Sequence, residues 1–350
     1  MKAFRVANSP LYASVQDEGR FGHERFGVSN SGAGDIFSYK IGNLILNNDL
    51  NAPCIELIGG NLELEALSDI CISITGGDLG PKIDGLPVKM WHTIFMRPFE
   101  LLTFEVPANG FRSYVCVQGG VKTNYIMGSY STHSKSGIGG KTLNNNEEIF
   151  VNKIDLKSIN KKAINFPVLP SSEPTTINVT KGPEYDLFDD KNIDLFFNSN
   201  FNVTNRMDRI GVVLEGPSIS TIDGSHDIIS DGTTKGVVQV PTDGNLYVLM
   251  NDCQTIGGYP RICSISSADF STFSQLKPSS IVKFNLVSIK ESQDRLKKQF
   301  NHFLNNNILD YSSESVLNLS FGDRQFNLIV QPSGDKFEVV IDGKPVKLEF

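Results

Sequence analysis

One segment shows the pattern that recurs along this chain: Leu249-Met-Asn-Asp-Cys-Gln-Thr-Ile-Gly-Gly-Tyr-Pro-Arg-Ile262. Its apolar start is typical of a buried strand, and the strand ends where polar side chains follow. Two glycines, a tyrosine and a proline then indicate a loop before apolar residues resume. Such a loop offers backbone N–H groups and amide side chains to a small polar ligand, although a purely structural turn has the same pattern.

Short apolar runs of this kind recur along the chain, and glycine, proline, asparagine or aspartate separates them. Many of the runs alternate between apolar and polar residues, which is the pattern of half-buried strands: examples are Ile70–Ile74, Tyr114–Val117, Val237–Val240 and Val282–Leu286. Many short strands at close spacing indicate a β-sandwich or β-barrel rather than alternating strands and helices. The sequence therefore predicts a mainly β protein.

Helical spacing of apolar residues is confined to three segments, which are residues 35–46, residues 268–276 and a segment that begins at Ser288. Ser288 and Glu291 form a capping-box pattern. The apolar stripe of this last helix is expected to pack against the protein body, and it comprises Leu296, Phe300, Phe303 and Leu304. Asp35 stands at the start of the first helix, where it either caps the helix or belongs to a ligand site, because the N-terminus of a helix also favours an anionic ligand.

A segment rich in lysine, asparagine, serine and proline divides the chain into two β-rich halves. We expect a first domain over residues 1–155, a linker over residues 156–175 and a second domain over residues 176–290. Residues 291–350 then form the last helix and a small antiparallel β-meander, because four alternating strands are joined by turn signals.

Composition excludes several classes of function. The net charge of −7 over 350 residues argues against binding to nucleic acid or to an anionic membrane surface. The five cysteines contain no CxxC pair and the five histidines show no ligand spacing, so no metal is predicted and the cysteines are expected to be reduced core residues. Neither a signal peptide nor an 18-residue apolar stretch is present, so we expect a soluble cytoplasmic protein.

Five loops share the combination of glycine with short polar side chains: residues 14–20, 27–35, 75–78, 119–140 and 252–259. None contains a phosphate-binding GxxxxGK[ST] motif, a strand–GxGxxG–helix unit or a GxSxG elbow. His133 lies in the fourth loop, where it is either a base near neutral pH or a surface histidine without a catalytic role. The residues alone predict a small polar or amide-bearing ligand between the domains.

The order of these motifs resembles one known family. Matching segments include Ser14-Val-Gln-Asp-Glu-Gly-Arg20, Ser31-Gly-Ala-Gly-Asp35, Gly128-Ser-Tyr-Ser-Thr132, Gly182-Pro-Glu-Tyr185 and residues 251–262. This family contains the C subunit of the bacterial ATP-dependent 5-oxoprolinase, the regulator KipA, allophanate hydrolase subunit 2 proteins and part of the carboxyltransferase domain of urea carboxylase. The resemblance extends over residues 1 to about 305.

The resemblance implies two cyclophilin-like β-barrel domains and an obligate partner. That partner is a subunit-B/KipI-like protein, and the oxoprolinase also requires a third subunit of the LamB/YcsF type. The implied activity is the ATP-dependent opening of 5-oxoproline to glutamate, with a cyclic amide as substrate and with ATP not bound by this chain alone. The alternatives are a KipA-like regulator without catalysis and the carboxyltransferase component of a biotin enzyme, and biotin is expected only under the latter.

Candidate site residues follow from the matching loops. Asp35, Asp252 and Gln254 are the candidate catalytic residues. The candidate substrate-binding residues supply hydrogen bonds or charge around an amide that becomes an oxyanion: Arg20, Asn43, Thr75, Arg112, Ser129, Ser131, Thr132, Gln239, Thr255 and Tyr259. The carboxylates of Asp17, Glu56 and Asp78 are further candidates for the same site, if the fold brings them together with Asp35 and Asp252.

The sequence departs from the family pattern at two places. The family has a longer loop after the glycines that match Gly139 and Gly140, with an arginine that is missing here. Lys141 replaces the charge of that arginine but not its two-pronged hydrogen bond. Gly34 stands where the family often has methionine or leucine, so activity is less strongly implied than fold.

Overall fold

The computed structural model describes residues 1–8, 10–152, 162–164, 174–306, 308–310, 315–321, 324–333, 336–341 and 344–346. The described chain is mainly β, as predicted. Its four α-helices are α1 Ile36–Ile45, α2 Asp190–Asn198, α3 Ser267–Ser274 and α4 Ile289–Asn306. Two short 3-10 helices span Glu24–Phe26 and Tyr185–Leu187.

The first half contains eleven strands in two sheets. The strands are β1 Lys2–Val6, β2 Tyr12–Gln16, β3 Cys54–Ile58, β4 Glu63–Ala66, β5 Ile70–Asp78, β6 Lys82–Ile83, β7 Leu86–Pro87, β8 Thr93–Met96, β9 Leu101–Thr103, β10 Asn109–Val117 and β11 Glu148–Phe150. One sheet has the order β11-β1-β4-β9-β6-β7, and the other has the order β2-β3-β10-β5-β8.

These two sheets face each other across one core. Phe4 and Leu64 of the first sheet and Ile55, Ile72 and Val115 of the second belong to the same cluster of buried residues. The expected closed barrel is therefore wrong for this half, because each strand pairs only within its own sheet. The apolar alternation that suggested a barrel also fits two packed sheets, since both bury one face of each strand.

The second half is a closed seven-stranded barrel with the order β13-β20-β17-β18-β15-β14-β21. The barrel strands are β13 Thr175–Lys181, β14 Phe201–Met207, β15 Gly211–Glu215, β17 Val237–Gln239, β18 Leu246–Leu249, β20 Arg261–Ile265 and β21 Ile281–Leu286. Strands β16 Asp231–Gly232 and β19 Ile256–Gly257 form a separate two-stranded sheet. Parallel pairing of β13 with β21 closes the barrel around a core of aliphatic and phenylalanine side chains. A barrel is confirmed here.

Helix α4 follows the barrel and contacts both halves. Its capping box is confirmed, since the Glu291 N–H donates to Ser288 Oγ at 3.1 Å and the Ser288 N–H donates to Glu291 Oε2 at 2.8 Å. Leu296 packs against Phe37 and Ile41 of α1. The predicted packing of the stripe is thus confirmed at Leu296, whereas the side chains of Phe300, Phe303 and Leu304 lie outside the described residues.

The C-terminal meander is also confirmed. Its strands are β23 Ser315–Phe321, β24 Arg324–Ser333, β25 Lys336–Ile341 and β26 Lys344–Val346, and they pair in sequence order. Strand β12 Lys162–Ile164 pairs with β22 Ile308–Asp310. Apart from residues 162–164, 174 and 175, the predicted linker lies outside the described residues, so the domain boundaries stay predictions.

All five cysteines are buried thiols that form no disulfide bond, as predicted. Within the described part of the chain, no helix is both long enough and apolar enough to cross a membrane.

Candidate functional site

The two halves are joined by a buried charge network around Arg209. The β14–β15 hairpin presents Arg209, because Asp208 accepts hydrogen bonds from the N–H groups of Ile210 and Gly211 and thereby forms the turn. Arg209 donates to both carboxylate oxygens of Asp252 at 3.0 and 2.9 Å. Its remaining Nη1 donates to Glu56 of the first half. One guanidinium thus binds carboxylates from both halves, and we call these three residues the Arg209 network.

The Arg209 network is almost completely removed from water, since Arg209 and Asp252 are each 4 % exposed and Glu56 is not exposed at all. Burial opposes the charge of the guanidinium, but Asp252 and Glu56 outweigh it and hold the pKa of Arg209 well above its ordinary value. Glu56 accepts two further hydrogen bonds, from the Tyr114 hydroxyl at 2.8 Å and from the Gly34 N–H at 2.7 Å. Pairing of β3 with β10 puts Tyr114 directly opposite Glu56.

Asp35 caps α1, which confirms one of its two predicted roles. Its Oδ1 accepts from the Ser38 N–H at 3.1 Å, and its Oδ2 accepts from the Ser38 hydroxyl at 2.6 Å. Gln275 of the second half also donates to Oδ2 at 2.8 Å. Because these donors occupy the carboxylate, Asp35 is a link between the halves, and its catalytic role stays a prediction.

Asp252 and Gln254 are only two residues apart but lie in opposite environments. Asp252 is held by Arg209, whereas the Gln254 side chain is exposed. Gln254 and Thr255 line a water-sized cavity of about 20 Å³ together with Ser29 and Asn30 of the first half. The Ser29 hydroxyl donates to the Cys253 carbonyl at 2.6 Å, so the first half contacts this loop directly.

A second polar network lies in the first half around Asp17. Its carboxylate accepts from the hydroxyls of Ser129 and Ser131 and from the Tyr130 N–H. Arg20 donates to the Ser131 carbonyl at 2.8 Å, and its Nη1 is buried without a hydrogen-bond partner in the described structure. The structure therefore brings predicted residues Arg20, Ser129 and Ser131 together, with Asp17 at their centre.

This second network borders an open cavity of about 500 Å³, which we call the rim cavity. Asp17, Gly128 and Tyr130 line it, together with Asp49 and Tyr125. The rings of Tyr125 and Tyr130 lie 4.7 Å apart between centroids. Thr132 is buried beside the network, and its N–H donates to the Val15 carbonyl at 3.0 Å.

Three of the predicted substrate-binding residues bind the protein itself. Asn43 donates to the Ala52 carbonyl at 2.8 Å, and Thr75 donates to the Ser38 carbonyl at 2.7 Å. Arg112 donates to the Ser274 carbonyl across the interface between the halves. All three side chains are buried and none lines the cavities described here, so their geometry supports the packing of α1 and of the two halves.

The remaining predicted residues are dispersed over the second half. Gln239 is buried on β17, and its Nε2 has no partner among the described atoms. Tyr259 is 41 % exposed and lines none of the three cavities. His133 of the first half lies with Nε2 3.3 Å from the Asp252 carbonyl oxygen, so this loop does reach the second half.

A cavity of about 410 Å³ lies between the halves, and we call it the cleft cavity. Its polar lining includes Glu18, Lys40 and Lys235, and its apolar wall includes Phe270 and Leu296. Lys40 forms an ion pair with Glu18 at 2.8 Å. Sequence reasoning missed Lys235, although one signal was present: a charged residue stands between threonines and a glycine directly before an apolar strand.

Arg209 was also missed as a site residue. No spacing rule connects it with Glu56, from which it is separated by 153 residues. Of the carboxylates considered from sequence, Glu56 and Asp252 converge, Asp17 forms its own network and Asp78 ends β5 exposed. Over the residues that the structure describes, no group of three or more His, Cys, Asp or Glu side chains is placed to hold a metal.

Known proteins match this chain in sequence over both of its halves. The family model "Carboxyltransferase domain, subdomain A and B" matches residues 26–286. A curated relative, the C subunit of the 5-oxoprolinase of Escherichia coli, is 33 % identical over 303 residues, which cover 85 % of this chain and 96 % of the relative.

Solved structures share the fold. The crystal structure of TTHA0988 has a TM-score of 0.73 at 25 % identity, with 81 % of this chain and 55 % of that chain covered. The Kluyveromyces lactis urea amidolyase has a TM-score of 0.78 at 22 % identity, with all of this chain but only 23 % of that chain covered. The chain therefore spans about half or less of these solved chains. Because the family model covers most of its length, this chain belongs to the family of the carboxyltransferase domain, subdomains A and B.

Proposed function

We propose that this protein is a subunit of an ATP-dependent 5-oxoprolinase complex that opens 5-oxoproline to glutamate. The observation that carries the proposal is the nearly end-to-end match with the C subunit of the Escherichia coli 5-oxoprolinase. A match over 96 % of that relative means that the whole of that protein, and not a shared module alone, has its counterpart here.

The geometry supports a small ligand between the halves. The Arg209 network fixes the loop after β18 against the first half, and the cleft cavity opens beside it. Its volume of about 410 Å³ lies within the usual range for small-molecule sites. A five-membered lactam with one carboxylate fits such a space.

The chemistry requires more than this chain. A lactam carbonyl is a poor electrophile, and transfer of a phosphoryl group from ATP to its oxygen, with release of ADP, opens it to attack by water. The ring C–N bond then breaks, and a second water releases phosphate from the resulting acyl phosphate to give glutamate. The partners in this proposal are a subunit-B/KipI-like protein and a LamB/YcsF-type subunit, and ATP is not bound by this chain alone, in keeping with a sequence that has no phosphate-binding loop. This chain contributes hydrogen-bond donors that hold the amide and stabilise an oxyanion. A cyclophilin-like character of the second-half barrel and a cytoplasmic location are parts of the same proposal.

A carboxyltransferase is the second candidate, because the family model and the fold of urea amidolyase both favour it. In that case the site would receive carboxybiotin and an amide nitrogen. A KipA-like regulator would bind its partner without any turnover.

Co-expression with both partner subunits tests the proposal. The purified complex is expected to release ADP and glutamate only when 5-oxoproline is present, and omission of this chain is expected to abolish both products. Absence of oxoproline-dependent ATP hydrolysis in the full complex would refute the proposal. Carboxyl transfer from carboxybiotin to an amide by the same complex would instead establish the second candidate.

A further inference from the structure

The charges that line the cleft cavity do not cancel. Glu18, Lys40 and Lys235 are the charged residues in its lining, and Glu18 is paired with Lys40 at 2.8 Å. Lys235 has no ion-pair partner within the described structure, and its ammonium lies 5.5 Å from the centre of the Phe270 ring. The lining therefore keeps one positive charge without a counter-ion, and a bound anion would supply it.

The surroundings of Lys235 favour an anion beside its ammonium group. Burial and the nearby Arg209 guanidinium lower the pKa of Lys235 by more than Cys253, Glu18 and Glu56 raise it. A negative ligand group would offset both unfavourable contributions, because it restores an opposite charge in a poorly solvated place. Helix α3 starts at the same cavity with Ser267, and the N-terminal end of a helix adds a partial positive charge.

The rest of the cavity indicates the size and nature of the ligand. Ile36, Ile265, Phe270 and Leu296 form apolar walls, and these come from the first half, the barrel and α4. A hydrophobic wall opposite one ammonium suits a compact carbon skeleton with a single carboxylate. A highly charged phosphate group would leave most of its charge against apolar side chains.

We infer that the cleft cavity is a binding site for a small monocarboxylate, with Lys235 as the residue that binds its carboxylate. The identity of the natural ligand as 5-oxoproline rests on the proposed function, whereas the site itself does not. Lys235 anchors the ligand through a charge-assisted hydrogen bond, and Phe270 and Leu296 contact its carbon skeleton.

Calorimetric titration of three probes, with the full-length chain and with its complex, tests the inference. The probes are 5-oxoproline, cyclopentanecarboxylate, which lacks the lactam, and 2-pyrrolidinone, which lacks the carboxylate. The Lys235→Met variant is expected to bind both carboxylates at least about tenfold more weakly, while its affinity for 2-pyrrolidinone stays unchanged. Lys235→Arg keeps the charge and is expected to retain most of the affinity. Lys191→Met removes an exposed lysine of α2 and is the matched control.

Several outcomes would overturn the inference. They are unchanged carboxylate binding by Lys235→Met, equal weakening for all three probes, absence of carboxylate binding by both the wild-type chain and its complex, and equally tight binding of inorganic phosphate. Failure of the proposed function looks different: carboxylates then bind through Lys235, but 5-oxoproline does not stimulate ATP hydrolysis. If ATP hydrolysis responds to 5-oxoproline with the same KM in Lys235→Met, the function stands and the inference fails.

Discussion

Two cations at the interface between the halves, Arg209 and Lys235, lie in opposite environments. Arg209 is bound by Asp252 and Glu56 and is almost inaccessible to water. Lys235 borders a cavity and lies over an aromatic ring without a carboxylate partner in the described structure. The difference separates two tasks, since a satisfied charge holds the halves together whereas an unsatisfied charge remains for a ligand.

The physical reason for the difference is desolvation. A buried ion pair compensates for lost hydration only when its hydrogen bonds are complete, and Arg209 meets this condition through Asp252, Glu56 and the Gly32 carbonyl at 2.8 Å. A lone ammonium in a cavity has no such compensation. Variants at the two positions should therefore affect different properties.

Arg209→Met is expected to have the largest effect. Removal of the guanidinium leaves two buried carboxylates without their partner, so the free energy of unfolding should fall by about 3–5 kcal/mol in chemical denaturation. Arg206→Met on the same hairpin is the matched control, because the Arg206–Glu215 pair is more than half exposed on both sides. Equal stability of the two variants would contradict the role given to the Arg209 network.

Asp252→Asn and Gln254→Ala compare a buried residue with an exposed residue of the same loop. The Asp252→Asn change weakens the bidentate ion pair with Arg209. We therefore expect the free energy of unfolding to fall by about 2–3 kcal/mol and the activity to be lost. The second change removes an exposed amide, and the melting temperature should stay the same. Sequence alone suggested that both residues are purely catalytic. A stable but inactive Asp252→Asn complex would restore that view.

Ser288→Ala tests whether α4 helps to form the cleft cavity. Loss of the capping box should lower the melting temperature by only about 2 °C. Because Leu296 of the same helix lines the cavity, 5-oxoproline binding should weaken slightly as well. Ser199→Ala, at the C-terminal end of α2, is the control, and identical melting curves for the two variants would argue against a stabilising cap.

Lys235→Met is expected to have the smallest effect on stability. It removes a partly desolvated charge that has no described partner, so the free energy of unfolding should change by less than about 0.5 kcal/mol or should rise. Thermal denaturation in parallel with Arg209→Met measures the contrast. A loss comparable to that of Arg209→Met would show that Lys235 is part of the framework and would remove the distinction between the two cations.

Sequence reasoning succeeded for most features whose cause is local, although it missed α2 and the cap that Asp189 provides for this helix. Alternating apolar residues predicted strands, and the pattern of Ser288 and Glu291 predicted a capping box that is present. Asp35 illustrates the limit of this reasoning. Its position before α1 predicted a cap correctly, but its bond to Gln275, 240 residues away, was beyond any local pattern.

The candidate site was predicted only in part, because local patterns identify polar residues but not the partners that these residues meet in the fold. Conspicuous polar residues such as Asn43 and Thr75 were selected by their loops and motifs, yet the fold uses both to bind backbone carbonyls. Lys235 was overlooked because its sequence neighbours, two threonines and a glycine before an apolar strand, are only a weak signal for a ligand-binding residue. Its significance arises from Phe270 and from the unequal charges across the cleft.

The β-rich architecture, the caps of α1 and α4 and the family follow from the order of the amino acids, because they depend on short-range periodicity and on motifs. Strand pairing in space, in contrast, makes the first half a pair of sheets and closes the second half into a barrel. The three-dimensional fold also brings Arg209 to its carboxylates and leaves Lys235 without an ion-pair partner in the described structure. The reason is physical: desolvation and ion pairing depend on distances in space between residues such as Glu56 and Arg209, which the order of the chain does not contain.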